Sequence, residues 1–325
     1  MLAILSKTSN PAYNLATEEF LLKSVTEDAF YLYINKPSIV VGKHQNSLAE
    51  IDYAYTLRNN IPVYRRLSGG GTVYHDLGNL NFCFITNEEK GNLVNFDKYS
   101  AHIVKALEIM GLTINVGKRH DLKIANKKIT GTASHIFKNR VLHHGTLLFS
   151  TNLSVLNKCL NVTTDRFKDK AVKSVRSTVT NISEHLSHPI TMEEFTLHIF
   201  HSLQSGFTKV KEYRLTTEDK KFIAALVKEK YDTWKWNYGY SPIYKLSANV
   251  EINGEIITSE ITVEKGIISR ASFVSKNTTM QNMLNNLAMA IKGVQHNRKN
   301  ISDVFNQKSL LHQQLTKEQV ITLLF

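Results

Sequence analysis

Residues 65–79 read Arg-Arg-Leu-Ser-Gly-Gly-Gly-Thr-Val-Tyr-His-Asp-Leu-Gly-Asn, and the chemistry they offer is anion binding. Gly69, Gly70 and Gly71 carry no Cβ, so their backbone turns tightly, approaches a ligand closely and leaves amide N–H groups to point at it. Arg65 and Arg66 add planar, permanently charged donors matched to phosphate or carboxylate. The bland alternative is a glycine-rich hairpin turn between solvated charges. The paired arginines before the glycines and His75-Asp76 after them weigh towards an anionic, phosphorylated ligand. The loop is not a Walker A sequence, because no Lys-Ser/Thr comes after it and the distal first glycine is missing. Nor does it match the G-x-G-x-x-G of a dinucleotide fold, since the residues after the glycines have strand character: Thr72, Val73 and Tyr74 are β-formers, and residues 80–85 are apolar or aromatic apart from Asn81. With Ile61, Val63 and Tyr64 ahead of it, the loop is expected to join two strands.

A second stretch, residues 120–134, reads His-Asp-Leu-Lys-Ile-Ala-Asn-Lys-Lys-Ile-Thr-Gly-Thr-Ala-Ser. Residues 121–125 and 128–130 read as short strands around an Asn126-Lys127 turn. Lys128, flanked by Ile129 and with Gly131 close behind, is then either a partly buried cation beside room for a ligand or one of two solvated lysines on a surface hairpin. Lysine is seldom fully buried without a counter-charge, and both readings respect that. A third stretch, Val-Leu-His-His-Gly-Thr-Leu-Leu-Phe at 141–149, is strand-like. No carboxylate or Cys lies at ligand spacing from His143 and His144, which argues against a metal site and for core histidines satisfied by backbone.

The elements that must position these residues mix helix and strand without a regular βαβ period. Residues 10–23 read as a helix, and residues 30–34 and 38–42 as a strand pair around Lys36-Pro37. A helix over about 97–110 has apolar positions at Ile103, Val104 and Leu107 and is ended by Gly111. Thr191 with Glu194 forms a capping box for a helix through Leu203 that Gly206 stops, and another helix spans about 217–230. After the aromatic run at 234–242 the pattern changes. Residues 248–252 and 256–263 alternate, with Asn253-Gly254 as a hairpin turn, and helical segments rich in Asn, Gln and Leu complete the tail. A boundary near residue 245 divides the chain into a domain of residues 1–245 and a smaller one of residues 246–325.

The chain has 325 residues, 42% of them hydrophobic and 21% charged, a globular balance with ample material for a core. No apolar run approaches the roughly 20 residues of a membrane span. Residues 1–8 show neither signal nor transit character. Cys83 and Cys159 form no CxxC pair and suit a reducing compartment, the cytoplasm. The net charge is +12, and residues 246–325 hold eight Lys and Arg against six Asp and Glu, so about +10 lies on residues 1–245. That imbalance points to acidic partners. Nucleic acid is not the expected one, because no zinc finger, RNP1 motif or helix-turn-helix is visible.

Together, in this order and spacing, the three stretches resemble the lipoate–protein ligase A family. Its Arg-Arg-x-x-Gly-Gly-Gly-x-Val-x-His-Asp motif stands here at 65–76. Its Lys-hydrophobic-Ser/Thr-Gly-x-Ala motif is Lys128 to Ala133, and its His-His-Gly-Thr-Leu-Leu strand lies at 143–148. Residues 40–46, Ser174-Val175-Arg176-Ser177 with Val179-Thr180-Asn181, and the Trp-Lys-Trp-Asn-Tyr-Gly at 234–239 add support. The resemblance runs from about residue 10 to at least 245. Where many members have Asn before the Asp, this chain has His120.

The resemblance implies an α+β fold, with a large domain of mixed β-sheets flanked by helices, of the biotin/lipoyl ligase type, and a small C-terminal α+β domain. It implies a two-step ligation in which lipoate and MgATP give lipoyl-AMP and pyrophosphate, and the lipoyl group then passes to a lysine of an acceptor domain. Acceptors would be the E2 subunits of 2-oxoacid dehydrogenases or the H protein of glycine cleavage, met by a monomer. Lys128 would lie between carboxylate and α-phosphate. Arg66, Gly69, Gly70, Gly71, Thr72, Val73 and Tyr74 would hold ATP and the adenylate. Lys128, Gly70, His75 and His144 would meet lipoate, Asp121 would be the Mg²⁺ ligand, and strands at 80–85 and 147–149 would supply an apolar slot. The alternative within the same fold is a transferase of lipoyl or octanoyl groups that takes preformed lipoyl-AMP or a carrier-bound acyl group.

Overall fold

Two nine-residue strands, buried almost throughout, form the centre of the largest sheet. In the computed structural model, which describes residues 1–88, 95–160, 164–307 and 315–325, strands Asn79–Asn87 and Arg140–Leu148 pair antiparallel along their whole length. Alternate residues of the first, Leu80, Phe82 and Phe84, enter a core with Phe30, Tyr99, Ile103, Phe149, Phe195 and Ile199. That core is closed by helices Phe96–Glu108 and Met192–Gly206. Around the pair a six-stranded mixed sheet runs in the order Thr132–Phe137, Arg140–Leu148, Asn79–Asn87, Ala29–Ile34, Leu2–Leu5, Lys211–Glu212, with the last two junctions parallel.

The chain divides into two compact units. The first comprises Met1–Lys43, Ala54–Leu160 and Lys173–Thr233; the second His44–Tyr53, Asn161–Val172 and Trp234–Phe325. All of 246–325 falls in the second unit, which also draws in residues 234–245 and two earlier segments. Mixed sheets in the first unit and an antiparallel one in the second, each accompanied by helices, make the protein α+β.

In the first unit, helix Pro11–Ser24 starts where the sequence predicts, with the Asn10 side chain accepting from the Tyr13 N–H and Pro11 in the first turn. The helix is buried almost all round, and Glu18 and Glu19 are buried with it. The expected strand pair around Lys36-Pro37 is not a pair. Ala29–Ile34 joins the large sheet, whereas Ser38–Val41 is the middle strand of a separate three-stranded sheet, between Val63–Arg65 on its parallel side and Val73–His75 on its antiparallel side. Pro37 lacks the N–H that a tight antiparallel hairpin at this point would use.

The second unit is a meander, Tyr244–Ile252, Glu255–Glu264, Ile267–Val274, edged by Phe167–Asp169. Helices Thr278–Ile291, Arg298–Gln307 and Lys317–Leu324 contribute Met283, Leu284, Leu287, Ile301 and Leu324 to its core. Asn253 and Gly254 have φ of 53° and 81°, the left-handed pair that a two-residue hairpin needs. Lys265 and Gly266 repeat that geometry at 50° and 76° and give a third strand that the sequence reading does not anticipate.

Candidate functional site

The glycine loop crosses from one edge of the small sheet to the other. The strands before and after it both pair with Ser38–Val41, so residues 66–72 pass over the end of the middle strand instead of closing a hairpin. Gly42, the residue just beyond that strand, lies so close that a Cβ there would stand 2.2 Å from the Gly70 carbonyl oxygen. Gly70 itself has φ +83°, a conformation side chains rarely adopt. The loop therefore needs glycine at both positions.

Arg66 is buried beneath this loop. Its Nε donates to Ser68 Oγ at 3.0 Å, its Nη1 to the Val40 carbonyl at 3.0 Å, and its Nη2 to the carbonyls of Gly69 at 2.6 Å and Gly71 at 2.7 Å. Burial brings the guanidinium down to about 10, opposed by Glu18 and Tyr33, so it stays charged at neutral pH. Trans peptides point C=O and N–H oppositely. Turning the Gly69 and Gly71 carbonyls towards Arg66 thus turns the N–H groups of Gly70 and Thr72 away from it. The Thr72 N–H meets Ser174 Oγ at 2.8 Å. Arg66 shapes the loop from within; Arg65 does the same for the neighbouring chain, donating from Nη1 to the carbonyls of Gly42 and Lys43, both at 3.0 Å.

A buried polar chain anchors this arrangement to the large sheet. Ser68 Oγ lies 2.6 Å from His144 Nε2, and His144 Nδ1 lies 2.9 Å from Glu18 Oε2. The Tyr33 hydroxyl donates to Glu18 Oε1 at 3.0 Å. A neutral imidazole satisfies every member: Nδ1–H donates to the carboxylate, Nε2 accepts from the Ser68 hydroxyl, and the Ser68 oxygen accepts from Arg66. The partners of His143 and His144 are side chains, not the backbone groups the sequence suggests. His143 Nδ1 sits 2.9 Å from Ser134 Oγ, and its Nε2 is buried without a partner in the described structure. His75, on the strand after the loop, is buried too; its Nδ1 meets Asn35 Nδ2 at 2.9 Å and its Nε2 has no partner there. Burial first, then Arg66 and His144, push His75 down to about 3 and keep it neutral. Glu18 is the member sequence reasoning passes over. Its signal is a pair of glutamates set in an otherwise apolar helical run ending Phe20-Leu21-Leu22.

The lysine motif reaches the loop from the other side. Ala133, on strand Thr132–Phe137, would be 3.8 Å from a Cβ at Gly70. Lys128 stands at the end of a hairpin, Leu122–Ile124 with Lys127–Lys128, whose turn residues are Ala125 and Asn126 with φ of 47° and 62°. The turn falls one residue earlier than Asn126-Lys127 because Ile124 pairs directly with Lys127. The Lys128 backbone bonds across to 178–180, with its N–H on the Thr178 carbonyl and its carbonyl accepting from Thr180. The side chain bends over Gly131, where a Cβ would stand 3.7 Å from Nζ. Half-buried, Lys128 has its ammonium pushed below the ordinary lysine range by burial; Asp121 opposes this, and Arg119 and Lys123 add to it. Of the two readings left open by the sequence, the partly buried cation is the one observed.

The remaining candidates lie around this hairpin and the large sheet. Asp121 Oδ2 is 3.7 Å from Lys123 Nζ. His120 stacks on Phe96 and meets Asp97 Oδ1 at 3.0 Å. Among the described residues no group of three or more His, Cys, Asp or Glu side chains could hold a metal ion. Leu80, Phe82, Leu147 and Phe149, expected to line an acyl slot, belong to the hydrophobic core. Cys83 is buried beside Glu18, and burial together with that carboxylate pushes its thiol well up; Cys159 is buried as well. Cys83 is therefore not a reactive thiolate.

A family model for the lipoyl protein ligase A/B catalytic domain matches residues 10–204. The chain belongs to that family. It is 38% identical over 306 residues to lipoate–protein ligase 1 of Staphylococcus aureus, covering 94% of this chain and 93% of that protein. A bipartite lipoate–protein ligase from Thermoplasma acidophilum, solved in a study with its E2 lipoyl domain, is similar with a TM-score of 0.64 and 26% identity, over 74% of this chain and 96% of that one. Lipoate–protein ligase A bound with ATP gives 0.62 and 25%, over 74% and 100%. The three motifs that carry the resemblance in the sequence all lie inside the matched span, and they form one constellation in the first unit.

Proposed function

We propose that this chain is an ATP-dependent lipoate–protein ligase, and the observation that carries the reading is the Lys128 ammonium held over Gly131, on the segment whose Ala133 meets the glycine loop that Arg66 shapes. A lipoate carboxylate oxygen attacks the α-phosphorus of ATP, the bond from that phosphorus to the bridging oxygen breaks, and pyrophosphate leaves. The acceptor lysine amine then attacks the acyl carbon of lipoyl-AMP, the acyl–phosphate bond breaks and AMP departs. The first step brings two anions together, so it needs fixed positive charge more than it needs a nucleophile. Lys128 supplies that charge between carboxylate and phosphate, and then polarises the acyl carbonyl. Amides of 69–71, with Thr72, Val73 and Tyr74, line the adenylate. Gly70, His75 and His144 lie on the lipoate side, with Arg66 acting through the loop it holds.

Mg²⁺ enters with ATP as part of the substrate. Asp121 offers it one carboxylate, a usual number where phosphates complete the shell. The acceptors are apo lipoyl domains of E2 subunits or the H protein, and the positive charge of residues 1–245 suits acidic ones. We place the protein in the cytoplasm as a monomer; no helix among the described residues is long and apolar enough to cross a membrane. The deciding experiment is pyrophosphate release from purified protein with ATP, Mg²⁺ and lipoate, without acceptor. Release that depends on lipoate supports the ligase. Lipoylation of an acceptor from preformed lipoyl-AMP with no such release would replace it by an adenylate-dependent transferase.

A further inference from the structure

In the hairpin that carries Lys128, two lysines face each other across the strands. Lys123 is the direct cross-strand partner of Lys128. The flanking Ile129 N–H bonds to the Leu122 carbonyl at 2.9 Å, while the Lys128 backbone bonds outward to 178–180. That makes Lys123 and Lys128 a non-hydrogen-bonded pair, the kind in which side chains stand closest, with Cα atoms about 4.5 Å apart. Leu122, Ile124 and Ile129 take the buried face, so both lysines project from the other. Like charges set directly opposite destabilise a hairpin. One carboxylate, Asp121, stands near at 3.7 Å from Lys123 Nζ. Residues 117–128 hold Lys118, Arg119, Lys123, Lys127 and Lys128 against Asp121 alone. Arg119 and Lys123 both act on the Lys128 ammonium through space.

A repulsive pair maintained at a functional lysine is relieved by a ligand that carries more than one negative charge. We propose that Lys123, across the hairpin from Lys128, forms a polyphosphate subsite that holds the β- and γ-phosphates of ATP and the departing pyrophosphate. Lys128 meets the α-phosphate, and Lys123 meets the phosphates that lipoyl-AMP lacks. The assignment of ATP rests on the ligase reading above; the affinity for a linear polyphosphate does not.

Two measurements on the full chain test it. With inorganic tripolyphosphate as the probe, without nucleotide, the wild-type melting temperature rises, and the rise shrinks in Lys123→Met and returns in Lys123→Arg. In lipoate-dependent pyrophosphate release, Lys123→Met raises the KM for ATP and the inhibition constant of pyrophosphate about tenfold or more, the factor given by about 1.4 kcal/mol. Its KM for lipoate and its transfer from preformed lipoyl-AMP stay within about twofold, a split that misfolding cannot produce. The proposal is overturned if tripolyphosphate stabilises Lys123→Met as much as wild type, if the ATP KM is unchanged, or if transfer from lipoyl-AMP falls as far as adenylation. Wild-type protein that responds to tripolyphosphate but releases no pyrophosphate would instead remove the ligase reading and leave the subsite standing.

Discussion

At the scale of single residues, the site uses charge in two distinct ways. Arg66 is fully committed to protein carbonyls and a hydroxyl, so its charge acts through the loop it organises. Lys128 is only half-buried, and its ammonium is displaced from the normal lysine range by burial with no hydrogen bond holding its head among those described. A cation in that state interacts strongly with an arriving anion, because little solvation must be stripped from it at that moment. Lys128→Ala is therefore expected to lower lipoate-dependent pyrophosphate release by about 10²–10³, the usual consequence of losing a fixed charge at a developing anion. Lys128→Met keeps the stem that packs over Gly131 and separates charge from packing. The two variants should be equally inactive, and both should keep the wild-type melting temperature within a few degrees. Retention of more than about a tenth of the rate in Lys128→Met would assign the lysine to packing.

At the scale of elements, close backbone approach decides the site. Gly42 follows the middle strand of the small sheet and lies against the Gly70 carbonyl. Gly42→Ala would force a Cβ against backbone that has no soft side chain to yield, so the whole loop must move. The expected outcome is a rise of about tenfold or more in the KM for ATP together with a loss of about 1–3 kcal/mol of stability, the usual cost of overpacking. Steady-state kinetics beside denaturant melts measure both, and normal ATP affinity in a destabilised variant would give Gly42 a purely structural part. The glycine loop, the lysine motif and the His-Gly strand are all legible in the sequence, because their chemistry is written in consecutive residues. The features that are not legible depend on pairing across long separations. That Ser38–Val41 leaves its neighbour Ala29–Ile34 to sit between the two strands around the glycines cannot be read from alternation, since all four of its residues are buried. Glu18 escapes notice for a related reason: its partner His144 lies 126 positions away. The alanine in the Lys128 turn adopts a left-handed conformation that favours glycine or asparagine, which is why the sequence alone sets that turn one residue late.

At the scale of the whole molecule, the two units are interleaved in sequence, and both contain buried histidine. Leu48, Ala49, Phe167 and Tyr244 belong to the same core as Ile257, Leu284 and Leu324. Truncation after residue 245 would leave those four without their cover, at about 1–3 kcal/mol for each large apolar side chain. The shortened chain is expected to be poorly soluble and to lack a second cooperative transition, which calorimetry of both forms would show. Acid should reach both units. In the first, burial brings His143 down to about 3, and its Nε2 has no partner to accept a new proton's charge. In the second, burial brings His296 down to about 4; its Nε2 donates to the Leu324 carbonyl at 2.6 Å while Nδ1 faces the Tyr244 hydroxyl at 2.6 Å. Both are neutral when folded, whereas an unfolded histidine takes up a proton near pH 6.5. Below that value the unfolded chain binds more protons than the folded one, so stability is complete above about 6.5 and falls as the pH drops towards the folded values. Each such histidine contributes a slope on the order of 1.4 kcal/mol per pH unit across that window. Melting temperatures measured from about pH 8 to about pH 4.5 should be level down to about 6.5 and then decline. His143→Phe, which keeps the ring among Tyr99 and Phe96 but cannot take a proton, should make the decline of the first unit shallower by one histidine's share, with His75 keeping its own, and leave that of the second unchanged. An unchanged slope in that variant would place the acid sensitivity elsewhere.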